Sequence, residues 1–446
     1  MDAALKQEVK DWIADDPDPA TALALTELIN RGDEATLRRY FSGFLQFGTA
    51  GLRGPIGPGP SCMNRAVVGR TAAGIAAYMK KRGMNSVVIG RDARYGSEDF
   101  TFETAEIMSG AGMKVYVLPR PLPTPVLAFA TNELKCDLGI MVTASHNPPQ
   151  DNGYKVYLGG TVDGIHYRGS QIVSPTDEAI AAKIDAVTSL KSQPRGKVWE
   201  VLDEEIVEKY VNRTASLAGT PGSLRIVYTA MHGVGTQTLQ QVFHKAGFAS
   251  PILVEAQAAP DPDFPTVAFP NPEEPGAIDL ALETARSFDA HLVIANDPDA
   301  DRCAAAIKDP VTGWRMLRGD ELGAIFAESI ARKIDSGIFA NSIVSSSIVK
   351  KIAGHYNLQF KETLTGFKWL AKIENLTFGY EEALGYAVDA VTVNDKDGIS
   401  AAITLAQIAT DLAAEGKTLL DLLDEIWARH GFHATEPISI RLSDLS

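Results

Sequence analysis

Two short stretches carry residue types that could do chemistry together. The first is Thr143-Ala144-Ser145-His146-Asn147-Pro148-Pro149, which follows the apolar run Leu138–Val142. That run has the length of a buried parallel strand. The paired prolines fix φ and remove donors, so the chain must turn sharply there. A hydroxyl is thus placed at a strand's carboxyl end, where open α/β sheets hold their ligands. Ser145 is therefore a candidate reacting group, although an isolated serine more often serves as a cap or a turn residue. Ala144 and His146 flank it, so the Gly-x-Ser-x-Gly elbow of the α/β hydrolases is absent. Adjacent side chains on an extended segment point to opposite faces, which argues against a Ser145–His146 dyad.

The second stretch is Asp297-Pro298-Asp299-Ala300-Asp301-Arg302, after the apolar run Ala290–Ala295. Three carboxylates at alternate positions of one loop repel one another unless a cation lies between them. Hard oxygen donors suit Mg²⁺ or Ca²⁺. An EF-hand counted from Asp297 would need glycine at its sixth position and glutamate at its twelfth. Arg302 and Lys308 stand there instead, so that reading fails. A solvated acidic turn is the bland alternative.

Taken together, the serine and aspartate motifs resemble those of the α-D-phosphohexomutases, the phosphoglucomutase and phosphomannomutase superfamily. The surrounding segments look most like the branch with phosphoglucomutase-2 and phosphopentomutase. The resemblance implies a phosphoryl group on Ser145 and an Mg²⁺ ion held by Asp297, Asp299 and Asp301, touching the phosphoserine as well. It also implies substrate contacts from Arg302. The loop Phe47-Gly48-Thr49-Ala50-Gly51-Leu52-Arg53 is by itself a weak phosphate-cradle signal. The family opens with this motif, and its arginine, here Arg53, faces the active site. Lys155 matches a family lysine assigned to acid–base work, which an apolar, cation-rich cleft would help by loosening the proton. His146 joins Ser145, Lys155 and Arg53 as a candidate catalytic residue. Thr365, Gly366 and Lys368 match the family's T-G-x-K motif. Glu381 matches its sugar-reading glutamate, while Ala383 stands where many hexomutases have serine. That departure tilts the expected specificity toward a pentose or a broad range.

The elements that must hold these residues read as α/β. Residues 2–45 suggest short helices; a helix over 66–82, the strand Ser86–Gly90 and further alternation then suggest βαβ units. Asp151–Tyr157 reads as a turn into an edge hairpin carrying Lys155, and Pro260–Pro275 as a long surface connection. A strand is expected over Ser342–Val349. At ~150 residues per domain, 446 residues give about three domains. The expected boundaries are 1–218, 219–316 and 317–446: three mixed-sheet α/β modules around a central cleft. The family's fourth domain grips the substrate's phosphate with an R-x-S-G-T-E loop. Here Thr435-Glu436-Pro437 imitates only the tail of that loop, with Gly431, His433 and Ala434 in place of its arginine, serine and glycine. The fourth domain is therefore expected to be absent from this chain.

Composition narrows the partners. The formal net charge is −14, with no basic block, which argues against nucleic acid or an anionic membrane. No run of ~18 apolar residues appears, and the first residues lack a signal core. Three scattered cysteines without C-x-x-C suit a reducing cytoplasm. The implied partner is a small sugar phosphate, with a sugar 1,6-bisphosphate (or pentose bisphosphate) as activator, acting on a monomer or weak homo-oligomer. The implied reaction moves a phosphoryl group between the C1 and C6 (or C5) hydroxyls, with glucose phosphate ahead of pentose or mannose phosphate. Two other readings stay open: an Asp-nucleophile phosphatase, and a sugar-phosphate-binding form impaired in turnover.

Overall fold

The computed structural model describes residues 1–436. Three helices open the chain, Ala3–Asp15, Pro19–Arg31 and Glu34–Tyr40. Asp2, Asp18 and Asp33 cap them by accepting backbone N–H groups. They bury Leu5, Val9, Leu25 and Leu37 in a cluster of their own. Trp12 donates its indole N–H to the Pro58 carbonyl at 3.0 Å, tying this bundle to the proline-rich stretch after Arg53.

The first sheet runs Leu52–Pro55, Asp151–Leu158, Leu138–Val142, Ser86–Arg91, Lys114–Val117 and Glu200–Val201, side by side. Ser86–Arg91 is parallel to both of its neighbours, as alternating helices and strands require. The serine strand Leu138–Val142 is buried throughout, which explains its unbroken apolar run. Asp151–Leu158 is not an edge hairpin. It pairs antiparallel with the serine strand on one side and with Leu52–Pro55 on the other. The turn at Pro148-Pro149 is tight enough to return the chain directly beside the strand it left. Lys155 consequently lies in the sheet interior.

The second sheet orders Ile252–Leu253, Ile226–Thr229, Leu292–Ala295, Ala304–Asp309 and Gly313–Met316. The aspartate loop joins its third and fourth strands. Pro260–Pro275 is more than a surface connection: Phe264 and Val267 pack with Met231 and Ala277 in a buried cluster. The third sheet orders Gln359–Thr363, Ile338–Ser342, Leu376–Glu381 and Gly385–Ala387. Here the strand lies earlier than Ser342–Val349. Ser345 N–H bonds the Ser342 carbonyl, so Ser345-Ser346-Ser347 turns the chain into the helix Ile348–His355. Ile343 and Val344 look strand-like but stay exposed.

One apolar core contains residues of all three sheets, including Val88, Ile226 and Phe339. Asp397 fixes the third module further: it caps the helix Gly398–Ala414 and accepts the Tyr210 hydroxyl at 2.8 Å. The modules are therefore seated on shared packing, and no described helix is long and apolar enough to cross a membrane.

Gly51 shows how closely the arginine loop lies against the sheet. Its φ is +75°, and a Cβ there would come within 1.8 Å of the Tyr154 carbonyl oxygen. Gly51→Ala is expected to cost at least about 1 kcal/mol through the left-handed backbone alone, read as a lowered thermal midpoint. An unchanged midpoint would contradict this packing.

Candidate active site

The serine turn is built on unusual backbone. Ser145 has φ of +52°, the left-handed region that a non-glycine residue occupies only when its surroundings hold it there. Thr143 Oγ1 accepts the Ser145 N–H at 2.9 Å. The Arg94 guanidinium does the larger share, donating to the carbonyls of Ser145 (2.6 Å), Asn147 (2.6 Å), Pro148 (2.8 Å) and Asp151 (3.2 Å). Asp92 Oδ2 lies 3.4 Å from Arg94 Nε, and the Phe264 ring sits 4.9 Å under the guanidinium. One buried arginine thus ties together four carbonyls of a tight turn. Arg94 belongs to none of the motifs that the sequence singles out. The signal was its position at a strand's carboxyl end beside Asp92.

This backbone also corrects the expectation about His146. Because Ser145 is left-handed and not extended, the two neighbouring side chains converge. Ser145 Oγ and His146 Nδ1 are 3.2 Å apart. Burial, with Arg302 and Arg53 nearby, pushes the imidazole pKa down to about 3, so the ring is neutral.

The aspartate loop comes over from the second module. Ser145 Oγ donates to Asp297 Oδ2 at 2.8 Å. The other Asp297 oxygen accepts the Arg302 N–H at 3.1 Å. Asp299 Oδ2 accepts from Lys155 Nζ at 2.7 Å and from Thr124 Oγ1 at 2.6 Å. Asp301 Oδ2 accepts from Lys155 at 3.0 Å and lies 3.3 Å from Lys396 Nζ. All three carboxylates are buried, with ligand atoms within 4.8 Å of one another. At an effective dielectric of about 20, two unit charges at that separation repel by about 3.5 kcal/mol. Three such pairs rival the stability of a whole domain, so cations must compensate.

Burial and its two acidic neighbours push Asp297 well above the ordinary carboxylate range. Burial raises Asp301 too, but Lys155, Lys396 and Arg302 outweigh it and hold that carboxyl far below the usual value. Lys155 departs from expectation. Burial pulls its pKa down, yet Asp299 and Asp301 more than reverse this, and it stays an ammonium. The compensation by side chains is incomplete. Asp299 Oδ1 and Asp301 Oδ1 are buried without any hydrogen-bond partner among the described residues. Two orphaned hard oxygens beside a third carboxylate fit a divalent cation.

The aspartate loop and serine turn open onto a cleft of ≈ 270 Å³. Its walls include Arg53, Ser145, His146, Lys155, Asp301, Arg302, Gly366, Lys368, Glu381 and Ala383. Of the remaining expected site residues, Asp297 and Asp299 lie beneath the serine, and only Thr365 is left out, an exposed residue that does not line the cleft. Arg53 donates to Asn147 Oδ1 at 3.2 Å. Lys368 reaches across the cleft to Thr49 Oγ1. Glu381 Oε1 accepts the Gly366 N–H at 2.6 Å, and burial raises its pKa. Lys396 and Gln171 also line the cleft, and sequence reasoning missed both. Thr435 is not at the cleft. Its hydroxyl donates to Asp320 Oδ2 at 2.6 Å and its carbonyl accepts from Arg318, which docks the described end of the chain on the third module. Pro437 lies outside the described residues.

Serine, carboxylates and a cation-lined sugar-sized cleft among three α/β modules define a phosphosugar mutase, an intramolecular phosphotransferase, and the comparisons agree. Residues 45–191, 206–313 and 318–430 match the models of phosphoglucomutase/phosphomannomutase alpha/beta/alpha domains I, II and III. The chain belongs to that family. A Haemophilus influenzae protein named "Probable phosphomannomutase" is 49% identical over 390 residues, 86% of this chain and 79% of that one. The phosphopentomutase of Mus musculus is 35% identical over 479 residues, 98% of this chain and 75% of its own. The crystal structure of a Burkholderia thailandensis phosphoglucomutase/phosphomannomutase family protein shares the fold, with TM-score 0.72 at 22% identity, over 85% of this chain and 79% of that one.

The donor set predicts one divalent cation per chain. Isothermal calorimetry with Mg²⁺ is expected to show a single site, weakened at least about tenfold in Asp299→Asn and in Asp301→Asn. Equal affinity in wild type and both variants would contradict the assignment.

Proposed function

We propose that the chain interconverts glucose 1-phosphate and glucose 6-phosphate through phospho-Ser145 and a glucose 1,6-bisphosphate intermediate. The observation that carries this reading is the 2.8 Å bond between Ser145 Oγ and Asp297 Oδ2, made between two different modules. A nucleophile's oxygen and a metal-type carboxylate meet there with no other evident reason to do so.

In the first half-reaction a sugar hydroxyl attacks the phosphoryl phosphorus as the P–Oγ bond breaks. The hydroxyl's proton is balanced by the one gained by the departing Oγ, so Ser145 ends as an alcohol. The intermediate then turns over in the cleft, Oγ attacks its other phosphorus as that sugar O–P bond breaks, and the proton lost by the serine is balanced by the one gained by the freed sugar hydroxyl. His146, a neutral ring 3.2 Å from Oγ, borders that oxygen, whose one hydrogen is directed at Asp297 Oδ2. Lys155 was expected to move the proton, but paired with Asp299 and Asp301 it fits charge neutralisation better. Arg53 and Arg302 add positive charge where phosphoryl oxygens would lie, which is most of what such a transfer needs. Asp297, Asp299 and Asp301 would hold Mg²⁺, which when bound supplies further stabilisation of phosphoryl charge. The same serine serves both half-reactions.

Glu381 is the wall's carboxylate for sugar hydroxyls. With alanine at 383, one hydroxyl donor is missing, so discrimination among epimers should be loose. Mannose 1-phosphate, and more weakly ribose 1-phosphate, should therefore also turn over. Three unpaired cysteines support a reducing, cytoplasmic setting.

A coupled assay with Mg²⁺ and glucose 1,6-bisphosphate tests the proposal. Wild type should isomerise glucose 1-phosphate fastest, and Ser145→Ala should lose at least about 10³-fold. Release of inorganic phosphate that is undiminished in Ser145→Ala would favour an aspartate-nucleophile phosphatase. Faster ribose 1-phosphate would mark a phosphopentomutase instead.

A further inference from the structure

Gln171 belongs to no motif, yet several bonds hold it at the cleft. Ser170-Gln171 forms a two-residue strand paired antiparallel with the lysine strand, Gln171 opposite Tyr157. Directly opposed residues share a face of the sheet, and Tyr157 shares its face with Lys155 two positions before. Gln171 therefore stands on the face that carries Lys155. Its main chain and side chain are both held from the third module. Lys372 Nζ donates to the Gln171 carbonyl at 2.9 Å and also bonds Ser170 Oγ. Gln171 Nε2 donates to Asp395 Oδ2 at 3.1 Å.

That last bond fixes which way the amide points. A carboxylate accepts only, so the NH₂ group must face Asp395 and the carbonyl must turn away. The second hydrogen of Nε2 is directed to the Tyr157 hydroxyl at 3.4 Å. The amide nitrogen is thus committed. Oε1 has no hydrogen-bond partner among the described residues, although Gln171 lines the cleft. Asp395 cannot relax away, since it is buried and its Oδ1 accepts the Lys396 N–H at 2.8 Å.

Taking the mutase reading as its basis, we propose that Gln171 is a specificity-determining residue whose Oε1 accepts a hydrogen bond from one ring hydroxyl of the bound sugar. It reads the sugar from the first module while Glu381 reads it from the third. This second acceptor stands in part for the hydroxyl that Ala383 lacks. The cross-module bonds from Lys372 and Asp395 pre-orient the amide, so the contact is made without ordering a free side chain.

The experiment pairs Gln171→Met with substrate deletions. Steady-state isomerisation is measured for glucose 1-phosphate and its 2-, 3- and 4-deoxy analogues, on wild type, Gln171→Met and Gln171→Asn. Gln171→Met should lower kcat/KM for glucose 1-phosphate about tenfold, the scale of one neutral hydrogen bond. For one deoxy analogue, and only one, wild type and Gln171→Met should then agree within about twofold. Gln171→Asn, one methylene shorter, should show the same pattern. A merely structural role would lower all four substrates by a common factor, and that outcome overturns the proposal. So does an unchanged kcat/KM in Gln171→Met. Wild type that isomerises none of these sugars would sink the mutase reading and this inference with it. Wild type that isomerises them without the pairwise coupling would sink this inference alone.

Discussion

Three buried carboxylates held within 4.8 Å of one another, with a serine oxygen bonded to one of them, are the constraint around which the rest is arranged. Such a cluster is costly, and the chain offsets it with Lys155, Lys396 and Arg302 drawn from all three modules. Two carboxylate oxygens have no partner among the described residues, which keeps the compensation incomplete. A protein built only for stability would have replaced the cluster with apolar packing. Retention of the charge is what a site for a divalent ion and a phosphoryl group requires.

The same constraint explains the placement of the less obvious parts. Arg94 sacrifices its solvation to hold the serine turn, because a hydroxyl at φ +52° must not drift from the carboxylate it meets. Thr124 aligns Asp299 through its hydroxyl and its N–H, the latter donating to the Asp299 carbonyl. The shared core and the cap at Asp397 keep the third module's Glu381 and Lys368 facing loops of the first. Positioning to this tolerance is most of what phosphoryl transfer asks of a protein.

Much of this was legible in the chain before folding. Ser145 and the three aspartates were marked by residue type and spacing, and Arg53, Lys368 and Glu381 by the family resemblance; the structure brings them together at one cleft, with Asp297 and Asp299 beneath its serine. Apolar runs of strand length placed the serine and aspartate strands because buried strands must be continuously apolar. What escaped was set by pairing and backbone geometry. Lys155 was placed on an edge hairpin because sequence does not say that its strand has partners on both sides. His146 looked misdirected because a left-handed serine cannot be read from composition. The strand expected at Ser342–Val349 failed because β-branched Ile343 and Val344 lie in a turn held by the Ser345 N–H on the Ser342 carbonyl and by the Ser342 and Ser345 hydroxyls on Glu382. Arg94, Lys396 and Gln171 act through partners distant in sequence, and a single chain carries no signal of those partners.

The central claim is that one divalent ion is shared by the aspartate loop and a phosphorylated Ser145. Mn²⁺ takes the same hard oxygen donors as Mg²⁺ and is visible by anomalous diffraction. Crystals of the phosphorylated protein soaked in Mn²⁺ should show one anomalous peak, ligated by Asp297, Asp299, Asp301 and a phosphoserine oxygen. A peak elsewhere, or one on the aspartates with the phosphoserine turned away from it, would contradict the account.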